Sequence, residues 1–205
     1  MRQLLKTFGI IKVYEVDGEK IRKDLDPNFT NFGQHYDFNY IPKNELWIDR
    51  ENSTGEKNFF ITHMLTELKL IENGMGPDKA DDVACIIEEV ERHKSKKYQL
   101  NVSVKDNCDK VKIKKIADIK GILIFEVDGE LVRDFFYDSF TEGGHDLVYN
   151  WIPEKEIWID NDVVEKERPF IILHEFIERS FMEKGMIYEK AHMKALVDEW
   201  ESRRK

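Results

Sequence analysis

The residues with the clearest chemical potential lie near the end of the chain, in the order His174, Glu175, Glu178, Gly185 and His192. His174 and Glu178 are four residues apart, which places them on the same face of a helix. Glu178 lies as far before Gly185 as His192 lies after it. A chain reversal at this glycine into an antiparallel helix hairpin would bring Glu178 and His192 to the same height. We therefore expect His174, Glu178 and His192 to converge.

Two imidazoles and one carboxylate are a typical ligand set for a catalytic zinc ion, which keeps one coordination position open. Glu175 directly follows the first predicted ligand, so it is rotated by about 100° around the helix, given 3.6 residues per turn. A carboxylate at that position could act as a general base on a water at the metal. The sequence therefore predicts zinc ligands at His174, Glu178 and His192 and a catalytic Glu175.

The same pattern occurs earlier in the chain, because the sequence is a tandem repeat at a fixed offset of 111 residues. The segment IKVYEVDGEKIR at 11–22 returns as ILIFEVDGELVR at 122–133. The segment IPKNELWID at 41–49 returns as IPEKEIWID at 152–160. We predict a first repeat over 1–95, a connecting segment over 96–111 and a second repeat over 112–205, and we expect the two repeats to pair as an intramolecular pseudo-dimer.

The first repeat carries a degenerate version of the site. His63, Glu67 and Asp81 stand at the positions of the three predicted ligands, and Met64 stands at the position of Glu175. Aspartate is an accepted oxygen ligand, so these residues could still bind a metal ion. Methionine cannot act as a general base, so we expect hydrolysis only in the second repeat. The first repeat then serves as a supporting scaffold, or both repeats use these residues structurally.

The elements that must position these residues follow one order in each repeat. An apolar strand leads to an Asp-Gly pair, which is typical of a type I′ hairpin turn, and then to a second strand. After Pro42 or Pro153, apolar and polar residues alternate with the period of a strand. Two helices follow, with Gly74 or Gly185 between them. This order predicts an α+β fold with a small antiparallel sheet and a layer of two helices. The predicted strands cover 11–16 and 45–49 in the first repeat and 122–127 and 156–160 in the second. The first predicted helix covers 56–73 in the first repeat and 167–184 in the second.

The sequence His174-Glu175-Phe176-Ile177 resembles the first half of the His-Glu-x-x-His helix of zincin metalloproteases. Glu178 stands where that family has its second histidine, and His192 takes the place of the downstream ligand. The strand EIWID resembles the edge strand that lines a zincin cleft and holds an extended substrate. The pattern EIWID…HE…E…G…AH is also similar to small phage and bacterial proteins of uncharacterised activity. The resemblance implies a zinc-dependent hydrolase, with a peptide or protein as substrate.

A structural interpretation stands beside this one. A His-Glu pair one helical turn apart is often a hydrogen-bonded staple, and His192 could add a contact that pins the two helices. The protein would then be a non-enzymatic interaction protein held by buried polar groups. His145-Asp146 could be an additional catalytic or ligand pair, but we interpret it as part of a loop, because the first repeat has Gln34-His35 at those positions. Tyr188 could donate a hydrogen bond to a reaction intermediate, but its counterpart is Pro77, so we interpret it as a packing residue.

Composition limits the classes of partner. The net charge of −9 over 205 residues argues against nucleic-acid binding, which needs a basic face. No apolar run reaches the length of a membrane span, and the N-terminus lacks the pattern of a secretory signal. Cys85 and Cys108 do not occupy equivalent positions in the two repeats, so we expect no disulfide. We therefore predict a cytoplasmic protein that binds neither nucleic acid nor membrane.

Overall fold

The structure, a computed structural model, describes residues 2–205, which divide into two compact units. The first unit contains the residues up to Gly18 together with Phe29–Val102. The second contains Glu19–Asn28 together with Ser103–Lys205. A short segment of the first repeat is therefore part of the second unit. The positions of the repeat boundaries themselves remain a prediction.

The first unit is a four-stranded sheet followed by a helix hairpin. Its strands are β1 (Gln3–Phe8), β2 (Ile11–Val16), β3 (Phe32–Gly33) and β4 (Glu45–Asp49), arranged in the order β1-β2-β4-β3. Helix α1 (Gly18–Asp24) follows β2, and all of it after Gly18 belongs to the second unit. The remaining helices of the first unit are α2 (Lys57–Glu72), α3 (Pro77–His93) and the short α4 (Lys96–Leu100).

The second unit repeats this arrangement. Its sheet has the order β5-β6-β8-β7, which is equivalent to the order of the first sheet. Two short 3₁₀ turns, Val102–Asp106 and Cys108–Val111, precede it. The elements are β5 (Lys112–Ile119), β6 (Ile122–Val127), α5 (Gly129–Phe135), β7 (Gly143–His145), β8 (Glu156–Asp160), α6 (Arg168–Glu183) and α7 (Tyr188–Arg203).

The predicted α+β class is confirmed, but each sheet is mixed rather than wholly antiparallel. Strands β2 and β4 pair in parallel, as do β6 and β8, whereas the outer pairs are antiparallel. Parallel neighbours require a crossover connection rather than a tight turn. Helices α1 and α5 supply part of that connection, and the sequence analysis interpreted both of them as strands.

The hairpin predicted at the two Asp-Gly pairs is therefore wrong. In the second unit, the carboxylate of Asp128 accepts a hydrogen bond from the backbone N–H of Leu131 at 3.0 Å and caps helix α5. Gly129 is needed for close approach, because a Cβ there would lie 2.0 Å from the carboxylate of Asp160. The glycine thus makes room for Asp160, the last residue of β8. The type I′ turn that usually explains an Asp-Gly pair is not formed here.

The helix hairpins follow the predicted pattern. Gly74 ends the first helix of one pair with φ of 93°, and Gly185 ends that of the other with φ of 88°. Pro77 begins α3 as expected for the first position of a helix. In the second unit α6 lies against β7 and β8, with Ile171 and Ile157 in a shared apolar core. No helix of the described residues is long and apolar enough to cross a membrane.

Candidate metal centre

The three predicted ligands of the second repeat lie on the facing sides of helices α6 and α7. His174 and Glu178 are one turn apart on α6, and His192 lies on α7 beyond the reversal at Gly185. Nε2 of His174 is 3.2 Å from Nδ1 of His192 and 3.5 Å from Oε2 of Glu178. The Glu178 oxygen and His192 Nδ1 are 2.8 Å apart. These residues form a cluster that could hold a metal ion.

The separations fit a tetrahedral ion. Bonds of about 2.0–2.1 Å to nitrogen and oxygen put neighbouring ligand atoms of a tetrahedral zinc site about 3.3 Å apart. The three separations in this cluster range from 2.8 to 3.5 Å. A small divalent ion would therefore require only minor movement of the side chains.

The second nitrogen of His174 is held by a carboxylate on the neighbouring helix. Nδ1 of His174 lies 2.8 Å from Oε2 of Glu199, which is buried on α7. The carboxylate accepts a hydrogen bond from Nδ1–H of His174 and so directs Nε2 toward the cluster. Histidine ligands in metal proteins commonly have such a partner, because it fixes the tautomer and the ring orientation.

His145 orients Glu178. The interpretation of His145 as a loop residue is wrong: it ends strand β7 and is fully buried. Its Nδ1 accepts a hydrogen bond from the backbone N–H of Leu147 at 3.2 Å, which assigns the proton of the neutral ring to Nε2. Nε2 then donates to Oε1 of Glu178 at 3.0 Å. This contact occupies one carboxylate oxygen and leaves Oε2 directed toward His174 and His192.

The electrostatics of the cluster favour a bound cation. Burial alone would raise the pKa of Glu178, but hydrogen bonds with His145, His174 and His192 outweigh it and hold this pKa far below its usual value. Burial opposes the charge on His174, yet hydrogen bonds with Glu178 and Glu199 raise its pKa to about 10. Without a metal ion the cluster therefore keeps a proton on His174, and a cation would replace that proton.

Glu175 lies beside the ligand cluster. Its carboxylate belongs to an overlapping group with His145 and Glu178, whose ligand atoms lie within 4.8 Å of one another. Burial raises the pKa of Glu175 to about 6, against the attraction of His174 and His145. A Cβ at Gly143 would lie 3.2 Å from its Oε1, so the carboxylate packs on the backbone of β7. A carboxyl group with a pKa near neutrality is well suited to exchange protons.

Two tyrosines border the cluster. The ring of Tyr188 stacks on that of His192 with centroids 5.5 Å apart, which agrees with the packing role expected for it. Burial, followed by the charges of Glu178 and Glu175, raises the pKa of Tyr188 to about 12. Burial and the charge of Glu175 also raise the pKa of Tyr149. Both phenols therefore keep their protons at neutral pH and can donate hydrogen bonds.

A ladder of buried charges continues outward from His174. Nε of Arg203 donates to Glu199 at 2.8 Å, and its Nη1 donates to Glu167 at 2.5 Å. Nε of Arg22, from helix α1, also donates to Glu167, at 2.9 Å, and its Nη1 lies 2.9 Å from Glu142. These residues are nearly or fully inaccessible to solvent apart from Glu142. Alternating signs neutralise each buried charge and fix the position of Glu199.

The first unit repeats the inner part of this ladder. His63 approaches Glu88 through Nδ1 at 3.0 Å, and Glu88 accepts from Nε of Arg92 at 2.8 Å. Arg92 donates through Nη1 to Glu56 at 2.6 Å. On the other side of the ring, Nε2 of His63 lies 3.2 Å from Asp81. Burial opposes the charge of His63, but hydrogen bonds with Asp81 and Glu88 raise its pKa to about 9.

Glu67, the remaining counterpart of a predicted ligand, takes a different partner. Its carboxylate accepts a hydrogen bond from the side-chain amide of Gln34, the residue equivalent to His145. Burial, followed by the charge of Asp37, raises the pKa of Glu67 to about 7. Among the described residues of the first unit, the side chains that could hold a metal ion together are His63, Asp81 and Cys85.

The sequence analysis missed His145 and the buried carboxylates and arginines of the ladders. The carboxylates and arginines could have been predicted from the repeat, because Glu88 and Arg92 of the first copy return as Glu199 and Arg203 in the second. Each pair is four residues apart on its helix, which predicts contact. His145 carries no such signal, since the equivalent residue is Gln34.

No family model, curated protein or solved structure matches this chain. The argument for its function therefore rests on the geometry and chemistry of the two clusters.

Proposed function

We propose that the second unit is a zinc-dependent hydrolase that cleaves peptides. The ligands are Nε2 of His174, Oε2 of Glu178 and Nδ1 of His192. The observation that carries the proposal is the set of partners behind these atoms. Glu199 occupies the other nitrogen of His174, and His145 occupies the other oxygen of Glu178, so that the three remaining atoms face one point.

Glu175 supplies the acid-base function. A bound zinc ion supplies a Lewis acid that makes water a stronger proton donor. Glu175 would accept a proton from a water held in the site as the water oxygen bonds to the peptide carbonyl carbon, and would pass this proton to the amine nitrogen as the C–N bond breaks. In the metal-free cluster burial raises the pKa of Glu175 to about 6, and a carboxyl group that titrates near neutrality is suited to proton exchange. His174 and Glu178 keep their positions during this exchange, because Glu199 and His145 hold them.

Strand β7 supports a peptide as the substrate. The expected edge strand EIWID is β8, which lies between β6 and β7 inside the sheet and cannot receive a substrate strand. The edge next to the cluster is β7, Gly143–His145, whose Gly143 lies against Glu175. An extended peptide can pair with the backbone groups of an edge strand. That pairing would place its backbone close to Glu175.

The test uses the full chain in metal-free and zinc-loaded forms, incubated with a peptide mixture and analysed by mass spectrometry for new termini. We expect the zinc-loaded form to cleave and a chelator to abolish cleavage. His192→Asp, which installs the residue of the first repeat, should weaken zinc binding and reduce cleavage. Zinc binding at the second unit without cleavage of any peptide would reject hydrolysis, and failure of zinc to bind there would reject the site.

The alternative, a non-enzymatic interaction protein with helix staples, is favoured by one observation. The His-Glu-Arg-Glu ladder is present in both units, including the one that has Met64 at the position of Glu175. In that case zinc would not bind at the second unit, and any rise of the unfolding temperature on addition of zinc would be the same in His174→Gln as in the wild type. Thermal unfolding of both proteins with and without zinc separates the two proposals, since a ligand that binds only the folded state raises the unfolding temperature.

A further inference from the structure

We propose that the first unit holds a second metal ion, bound by Nε2 of His63, the carboxylate of Asp81 and Sγ of Cys85. This site differs from the proposed hydrolase centre in its donors, because it combines nitrogen, oxygen and sulfur. It goes beyond the hydrolase proposal and does not depend on it, since all three ligands belong to the first unit.

The geometry brings the three donors together. Asp81 and Cys85 are one turn apart on α3, and His63 faces them from α2. One ligand atom from each lies within 4.8 Å of the other two, and Nε2 of His63 is 3.2 Å from Oδ1 of Asp81. A zinc ion with bonds of about 2.0–2.1 Å to nitrogen and oxygen and about 2.3 Å to sulfur needs donor separations near 3.3–3.6 Å. The 3.2 Å between Nε2 of His63 and Oδ1 of Asp81 is already close to this requirement.

His63 is already positioned as a ligand. It is 5% exposed, and its Nδ1 lies 3.0 Å from the buried carboxylate of Glu88. The ring of Phe32 packs against the imidazole with centroids 5.2 Å apart. Together these contacts hold the ring and direct Nε2 toward Asp81. Glu88 stands at the repeat position of Glu199, whose carboxylate lies 2.8 Å from Nδ1 of His174.

The donor set determines which ions bind and what they do. A thiolate ligand favours zinc and softer ions over magnesium and calcium. The Asp81 side chain is 56% exposed, so an ion can reach the site from solvent. Coordination releases the thiol proton of Cys85 to solvent. Met64 stands where Glu175 stands in the second unit, so this site lacks the counterpart of that carboxylate.

Cobalt titration of the metal-free full chain tests the proposal, because a thiolate bound to Co²⁺ gives a charge-transfer absorption in the near ultraviolet. We expect that absorption in the wild type, its loss in Cys85→Ser and its retention in the control Cys108→Ser. Asp81→Asn should weaken cobalt binding while it preserves the size of the side chain. Circular dichroism confirms that each variant is folded.

The outcomes separate this site from the hydrolase centre. His174→Gln should leave the near-ultraviolet absorption unchanged, because it alters only the second unit. Absence of the absorption in the wild type, its persistence in Cys85→Ser, or its loss in Cys108→Ser would overturn the thiolate site. Retention of the absorption together with a loss of peptide cleavage in His174→Gln would support both sites independently.

Discussion

The two units share the residues that hold a histidine in place and differ in the residues that surround its free nitrogen. The shared part is the ladder from histidine through Glu88 and Arg92, or Glu199 and Arg203, to a buried glutamate. The different part includes three exchanges close to the free nitrogen. Gln34, Met64 and Asp81 in the first unit correspond to His145, Glu175 and His192 in the second. The two units thus share the residues that hold the histidine and differ in the side chains around its free nitrogen.

A fourth exchange alters the space beside the histidine. In the first unit the ring of Phe32 packs against His63 and Phe60. The second unit has Gly143 at that position, and the carboxylate of Glu175 approaches its backbone. The glycine therefore accommodates the proposed base, whereas the first unit fills the equivalent region with an aromatic side chain.

The largest expected effect comes from Glu175→Gln, which tests whether the exchange with Met64 separates an active from an inactive unit. The amide keeps the size of the side chain and removes the base, so peptide cleavage should fall by about 10²–10⁴-fold. Zinc content, measured by elemental analysis, should not change. Met64→Glu should not create activity in the first unit, because Asp81 differs from His192. Undiminished cleavage by Glu175→Gln would remove Glu175 from the mechanism.

The second prediction concerns Arg22, which extends the ladder of the second unit. Its counterpart Arg133 binds Asp160 instead, at 2.6 Å. Arg22→Met removes a buried cation from Glu167 and should lower the free energy of unfolding by about 3–5 kcal/mol. Arg50→Met is the control, since Arg50 is 48% exposed in its ion pair and such pairs contribute about 0–1 kcal/mol. If the two variants unfold at the same urea concentration, the contact of Arg22 with Glu167 does not stabilise the second unit.

The third prediction concerns His145, which contacts Glu178 on α6, and Gln34, which contacts Glu67 on α2. His145→Gln installs the residue of the first unit and leaves Oε1 of Glu178 with a weaker, less fixed partner. Loss of such an outer partner typically lowers metal affinity by about 10–100-fold. The affinity for zinc is measured by competition with a chromophoric chelator. Gln34→His is the reciprocal control and should leave zinc binding at the second unit unchanged. An unaltered affinity in His145→Gln would show that His145 does not position Glu178.

The fourth prediction concerns the pH dependence of stability in the metal-free protein. The folded state raises the pKa of His63 to about 9 and of His174 to about 10, above the value of 6.5 for an unperturbed histidine. These raised values stabilise the fold fully below pH 6.5, and the contribution is lost as the pH rises through 9 and 10. Each histidine contributes at most about 1.4 kcal/mol per pH unit within its window. Urea unfolding against pH measures the loss.

Variants assign the two windows to the two units. His63→Gln should remove the loss that ends near pH 9, and His174→Gln should remove the one that ends near pH 10. Saturating zinc should abolish the dependence on His174, because the ion replaces its proton. A pH profile unaffected by either substitution would contradict the assignment of the raised pKa values.

Local patterns in the sequence predicted much of the fold. The period of ELWID, the glycines after α2 and α6, and the equal spacing about Gly185 depend only on neighbours along the chain. The approach of His174, Glu178 and His192 follows from that spacing. Contacts set by the sheet were not predictable in this way. His145 contacts Glu178 because β7 pairs with β8 beside α6. A glycine is required at position 129 because the carboxylate of Asp160 lies against it.

The placement of Arg22 has a consequence for the order of synthesis. Its partner Glu167 is 145 residues further along the chain. At about 5–20 residues per second, the ribosome adds Glu167 about 7–30 s after Arg22. Residues of the first repeat that form β2 and β4 are complete long before then, whereas Glu19–Asn28 has no unit to join. We therefore expect this segment to stay solvated during translation, with Arg22 unburied until the second half of the chain is made.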